Sequence, residues 1–154
     1  MNSNNKNIVI TSAVRTAIGI FKGSLKNIQG HDLGSAAVKD SMKKSKLKPN
    51  EVDELIIGQV LTAAVGQNPA RQAAILAELS NETSNTTVNQ VCGSGLASVA
   101  LAYNSIKSGD GKIIIAGGQE SMSNSPHCIN IRKDKKINDD KMKDTMIIDG
   151  LWDV

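Results

Sequence analysis

Short apolar runs rich in β-branched residues alternate along this chain with stretches whose apolar residues recur at helical spacing, and that alternation leaves few folds open. Ile8-Val9-Ile10 reads as a buried strand that leaves its sheet through a loop marked by Gly19, Gly23 and Gly30. Asp32 then precedes Leu33, Ala37, Val38 and Met42, which share one helical face, with Lys39, Lys43 and Lys44 outside it. Leu55-Ile56-Ile57-Gly58-Gln59-Val60 is a second strand, of the continuous apolar kind that parallel sheets bury on both faces. Asn68 caps, and Pro69 opens, a helix running to about Leu79. Residues 85–91, rich in threonine and valine but polar, suggest a third strand at an edge or an interface. Gly93-Ser94-Gly95 turns it into a helix on which Leu96, Val99, Ala100, Tyr103 and Ile106 mark one face and Gly109 ends the run. Residues 112–116 supply a fourth strand. The expectation is an α/β fold, a mostly parallel sheet with right-handed crossover helices.

Composition narrows the function. A chain of 154 residues with 40% apolar content can bury a real core. A formal charge of +3 with one Trp, one Tyr and one Phe leaves nucleic acid a poor partner, because stacking platforms and a basic stripe are both thin. Five lysines between Lys39 and Lys48 could bind phosphate, but they read more simply as the solvated side of a helix. The longest apolar runs, 73–77 and 113–116, fall far short of a bilayer span, and Met1 to Lys6 hold no signal-peptide core. No membrane association is expected, and the cytoplasm is the expected location. Two cysteines, Cys92 and Cys128, make neither a disulfide framework nor a zinc site, so both read as free thiols and no metal is expected.

The chemistry concentrates in Asn89-Gln90-Val91-Cys92-Gly93-Ser94-Gly95, where a cysteine stands at the seam between a strand and a helix N-terminus. Backbone N–H groups and the positive end of the helix dipole favour a thiolate there, which makes Cys92 a candidate nucleophile. Its own N–H is placed to donate to the oxyanion that forms on an attacked carbonyl. Two other readings compete. Most free cysteines are small buried apolar side chains. Gly93-Ser94-Gly95-Leu96-Ala97-Ser98, with Glu120 ending the next strand, also approaches a dinucleotide fingerprint, although serine replaces its third small residue.

Four segments resemble the thiolase family, specifically the N-terminal part of its acetyl-CoA acetyltransferases. They are Ser12-Ala13-Val14-Arg15-Thr16-Ala17-Ile18-Gly19 with Phe21-Lys22-Gly23, then Val65-Gly66-Gln67-Asn68-Pro69-Ala70-Arg71-Gln72, then the Cys92 segment, then Ala116-Gly117-Gly118-Gln119-Glu120-Ser121-Met122-Ser123. The resemblance implies two similar α/β halves with a loop region inserted in the first. On that pattern residues 1–123 form the N-terminal core, and 124–154 open the insertion and stop within it. The resemblance further implies a reversible Claisen condensation of two acetyl-CoA molecules to acetoacetyl-CoA and coenzyme A, with Cys92 carrying the acyl group as a thioester. Coenzyme A thioesters are then substrates and no resident cofactor is expected. A homo-oligomer, a dimer or tetramer, is expected of the full-length protein.

The family's activating histidine, second cysteine and thioester-binding groups lie in its second half, and His31, His127 and Cys128 are not their equivalents. The chain by itself is therefore expected to be inactive in condensation, as the front of a longer polypeptide. Asp149-Gly150-Leu151 resembles the start of a coenzyme-contacting stretch, which makes Leu151 a candidate contact for the pantetheine arm. Glu120 reads as a brace for its turn through backbone or arginine hydrogen bonds. The alternatives are a degradative 3-ketoacyl-CoA thiolase of broader chain length, and a non-catalytic assembly module pairing through residues 85–91.

Overall fold

The structure, a computed structural model, describes residues 7–132 and 142–153. Met1 to Lys6 and most of the charged, aperiodic stretch 132–144, whose composition is that of an exposed loop, lie outside the described residues. Three parallel strands, β1 (Glu54–Gly58), β2 (Ser84–Val88) and β3 (Ile114–Gly118), make a sheet in the order β2-β1-β3. Helices α1 (Gly30–Ser45), α2 (Pro69–Leu76) and α3 (Ser94–Ser108) alternate with them, so the expected α/β architecture is present.

The central strand shows why the order is stable. Leu55, Ile56 and Ile57 are at most 3% exposed, each contributing about 1.5–3 kcal/mol through burial. Leu55 and Ile57 join Val38 and Met42 of α1 and Ala70 and Ala74 of α2 in the main apolar core. Residues on the alternate face meet α3 instead, because side chains alternate across a strand. The lysines of α1 stay at the surface, where Lys39 pairs with Glu78 at 3.1 Å and Lys44 with Asp40 at 3.1 Å.

Ends follow local chemistry. Asn68, at φ 37°, caps α2 by accepting from the Arg71 N–H at 3.3 Å and also accepts from the Thr87 hydroxyl at 2.8 Å. Gly109, at φ 91°, closes α3 in the left-handed conformation that glycine adopts at low cost.

Three expectations need correction. Ile8-Val9-Ile10 forms no strand: Val9 is 70% and Ile10 80% exposed, and the segment is tied to α1 through Ser12 and Thr11, whose hydroxyls reach Ser41 at 2.7 Å and Ser45 at 3.2 Å. A β-branched run supplies propensity, but a strand needs a neighbour's N–H and C=O groups, and none of the described strands offers them there. The last strand begins at Ile114 because the N–H groups of Lys112 and Ile113 donate to the Asp53 carboxylate, at 2.7 and 3.0 Å. Finally, α3 turns Ser94, Ser98 and Ala102 inward and leaves Leu96 78% and Tyr103 48% exposed.

Small residues face the sheet because the helix sits almost on it. A methyl group at Gly58 would overlap the carbonyl carbon of Ser94 and the nitrogen of Gly95, and one at Gly118 would lie 3.3 Å from the Gly95 Cα. Ser98, fully buried, donates from one hydroxyl to the carbonyls of Gly95 at 2.6 Å and Gly117 at 2.8 Å. Beyond the sheet, residues His127–Cys128 (β4) and Lys143–Asp144 (β5) form an antiparallel ribbon, and Ile147–Leu151 makes one π-helical turn. Among the described residues no helix is long and apolar enough to cross a membrane.

Two predictions follow from these contacts. Gly58→Ala should lose about 1–3 kcal/mol in urea denaturation because backbone must move, whereas Gly117→Ala, with nothing within 4 Å of the added carbon, should stay within about 0.5 kcal/mol. The backbone N–H groups of Ile113 and Lys112 hold the Asp53 carboxyl below its usual 3.8. Its stabilising contribution is thus present above the unfolded value and is lost as pH falls through the folded one. Asp53→Asn should be less stable than the unsubstituted chain at neutral pH, and the gap should close on acidification.

Candidate active site

The turn after β2, the start of α3 and the ends of β1 and β3 converge on a cavity of about 570 Å³. The glycine contacts form its floor, since Gly58, Gly95 and Gly118 all line it. Its lip is an unexpected segment, residues 16–21, where Ile18 is 88% and Ile20 82% exposed. In the sequence this stretch stands out by its glycines and by its place in the first family-resembling segment, but it has no helical or strand periodicity that would set it on a cavity.

Cys92 lines the cavity, is exposed, and is a free thiol. It does not fall among buried hydrocarbon, so the inert-core reading of this residue is set aside. The turn that presents it is strained and heavily braced. Val91, just before it, has φ 51°, a left-handed conformation that costs a β-branched residue on the order of 1–3 kcal/mol. Ser94 Oγ accepts from the Gln90 N–H at 2.8 Å and donates to the Val91 carbonyl at 2.6 Å. Asn89 Oδ1 accepts from the Val91 N–H at 2.9 Å, and Asn89 Nδ2 donates to the Val60 carbonyl at 3.3 Å. Gly93, the N-cap of α3, brings no side-chain acceptor to the helix end. The first N–H groups at this end are used within the turn, Gly93 donating to the Gln90 carbonyl at 3.0 Å and Ser94 to the Val91 carbonyl at 3.1 Å.

Glu120 lines the same cavity and braces the opposite wall. Its two carboxylate oxygens accept separately, one from the Val60 N–H at 2.8 Å and the other from the Leu61 N–H at 3.2 Å. Burial pushes this carboxyl above its usual 4.5, and the backbone N–H groups of Val60, Leu61 and Ser121 oppose the rise. Beneath it, Gln59 donates to the Leu61 carbonyl at 2.9 Å and accepts from Gln119 at 2.8 Å, both glutamines being buried. Glu120 is therefore a turn brace held by the backbone N–H groups of Val60 and Leu61.

Leu151, 56% exposed on the π-helical turn, lines the cavity together with Cys92. The remaining candidates are elsewhere. His31 lies in α1, while His127 sits on β4 with its Nε2 3.8 Å from Asp144, and Cys128 beside it is exposed. None of the three lines the cavity. Among the described residues no three His, Cys, Asp or Glu side chains converge as a metal ion would need.

A family profile described as "Thiolase, N-terminal domain" matches residues 8–154. An acetyl-CoA acetyltransferase of Rhizobium meliloti (strain 1021) is 53% identical over 97% of this chain and 38% of its own length. One from Cupriavidus necator is 52% identical over 96% and 38%. A solved structure, the Acat5 thiolase from Ascaris suum in complex with coenzyme A, superposes with a TM-score of 0.88 at 36% identity, covering 92% of this chain and 37% of that one. The chain thus spans less than two fifths of the length of these relatives.

A protonation prediction closes the geometry. Because the folded-state Glu120 carboxyl is raised, the unfolded chain releases its proton first, and stability falls as pH rises from the unfolded value through the folded one. Denaturation across acidic pH should show the Glu120 share of stability, read as the difference between the unsubstituted chain and Glu120→Gln, shrinking as pH rises through that window.

Proposed function

Because this chain belongs to the thiolase family, as a representative of its N-terminal domain, we propose that the protein it encodes is an acyltransferase that condenses two acetyl-CoA molecules, reversibly, to acetoacetyl-CoA and coenzyme A. The observation that carries the reading is the exposed Cys92 thiol on the wall of a cavity at the foot of α3.

The first half of the reaction uses this chain's own groups. The Cys92 sulfur, as thiolate, bonds to the carbonyl carbon of acetyl-CoA, and the Cys92 N–H donates to the developing oxyanion. Collapse breaks the bond from that carbon to the coenzyme A sulfur, which leaves and takes up a proton, with the acetyl group now on Cys92. In the second half, the α-carbon of another acetyl-CoA, having given its proton to a base, bonds to the acetyl carbon and expels the Cys92 thiolate. The matched motifs include no such base, so the N-terminal stretch by itself should not complete the condensation. Leu151, on the same cavity wall, is assigned to the pantetheine arm.

Other parts of the reading rest on separate observations. The β4/β5 ribbon stands apart from the parallel sheet, which supports a core of residues 1–123 followed by the opening of an insertion at 124–154. The open edge of β2, with partly exposed Asn85 and Thr87, supports pairing with a second copy. Two exposed free thiols fit a reducing compartment such as the cytoplasm.

The test compares the two cysteines, both exposed. A limiting amount of iodoacetamide should label Cys92 in preference to Cys128, and incubation with acetyl-CoA should place an acetyl group on Cys92 alone. Equal labelling of both thiols would favour the non-catalytic module. In the complete polypeptide, faster cleavage of a long-chain 3-ketoacyl-CoA than of acetoacetyl-CoA would favour the degradative enzyme.

A further inference from the structure

The two braces of the cavity are one connected path. The Glu120 carboxylate accepts from the Val60 N–H at 2.8 Å; the carbonyl of the same residue accepts from Asn89 Nδ2 at 3.3 Å; and Asn89 Oδ1 accepts from the Val91 N–H at 2.9 Å. Val91 is the strained residue, at φ 51°, immediately before Cys92. A left-handed β-branched residue persists only where its surroundings over-determine it, and here its N–H is tied, through two intermediates, to a carboxylate on another strand end. The wall residues 60 and 61 are held by this carboxylate, by the Gln59 bond to the Leu61 carbonyl at 2.9 Å and by burial of the Leu61 side chain, and of these only the carboxylate takes both of their N–H groups.

We propose that Glu120 is a positioning residue for the Cys92 nucleophile, acting through the Val60 peptide and the Asn89 side chain to hold the Val91–Cys92 turn in its reactive conformation. The inference rests on Cys92 being the acyl acceptor. A glutamine cannot substitute, because one of its two terminal groups would point an NH₂ donor at an N–H donor, leaving the Val60 or the Leu61 N–H without an acceptor. An aspartate keeps both acceptor oxygens on a shorter stem and recovers part of the function. Asn89→Asp cuts the path at a second point: it keeps the acceptor for the Val91 N–H but sets an oxygen against the Val60 carbonyl.

The experiment uses the complete polypeptide carrying this sequence and follows acetyl-Cys92 formation from acetyl-CoA by rapid quench and mass spectrometry. Iodoacetamide labelling of Cys128 and thermal melting serve as controls for folding. Glu120→Gln and Asn89→Asp should each slow acetylation of Cys92 on the order of tenfold or more, as misplacement of a reacting group does, with the acetyl-CoA concentration for half-maximal rate unchanged. The double variant should be no slower than the worse single one, because both cut the same path. Glu120→Asp should recover part of the rate. Two losses that multiply, or a rate per folded molecule that stays at the unsubstituted level, overturn the proposal. Should Glu120→Gln fail to fold, Asn89→Asp decides alone, loss supporting the path and no loss overturning it. Absence of acetyl-Cys92 in the unsubstituted protein strikes at the acyl-acceptor reading itself, and is thus told apart from failure of the path.

Discussion

The geometry of this chain depends on the nearness of α3 to the sheet. A methyl group on Gly58 would collide with the Ser94–Gly95 backbone and one on Gly118 would crowd the Gly95 Cα at 3.3 Å, and the fully buried Ser98 stitches the helix to the Gly117 carbonyl. A helix held at that distance cannot present large side chains to the strands beneath it, so its inward residues are Ser94, Ser98 and Ala102. The same closeness sets where its first turn begins, and with it where the turn before it must bend. Cys92 and the glycines Gly58, Gly95 and Gly118 accordingly line one cavity.

Much of this was legible in the residues. The continuous run around Leu55 to Ile57 reads as a strand buried on both faces because nothing polar interrupts it, and it is buried on both faces. The Asn68-Pro69 pair and Gly109 mark helix ends by mechanisms that act within one turn, independent of tertiary context. The failures share a cause. Ile8-Val9-Ile10 has the composition of a strand, but pairing is a property of two segments. On α3, apolar periodicity points to one side as core-facing, yet the distance to the sheet selects small residues there and leaves Leu96 outside. The start of β3 was displaced by one carboxylate, Asp53, distant in sequence and adjacent in space. For the site, the strand-to-helix seam was visible in the Cys92 segment, whereas the lip at residues 16–21 and the path through Asn89 needed coordinates, because neither has a local pattern.

Strain and bracing divide the labour around the thiol. Val91 stores a backbone cost of the order of 1–3 kcal/mol, and a single hydrogen bond contributes a net of only about 0.5–1.5 kcal/mol. One bond would therefore leave the conformation marginal. Ser94 Oγ, engaged with both Gln90 and Val91, and the Asn89 carboxamide together supply three. Three bonds of that size are enough to offset such a cost, and they converge from both sides of the turn, so the strain is held without being relieved.

Glu120 shows why a charged side chain is tolerated on this wall. Burying a carboxylate costs free energy, which is why its proton is held more tightly than in water. Against that cost, an ionised carboxylate accepts charge-assisted bonds about twice as strong as neutral ones, and each of its oxygens can take a different N–H. Val60 and Leu61 are consecutive residues past the end of β1, where the ladder no longer supplies acceptors. Two adjacent backbone donors pointing the same way match the spacing of two carboxylate oxygens, a match that an amide or a hydroxyl cannot make. The residue is therefore better understood as the acceptor that ends β1 than as an acid or base in the cavity it happens to line.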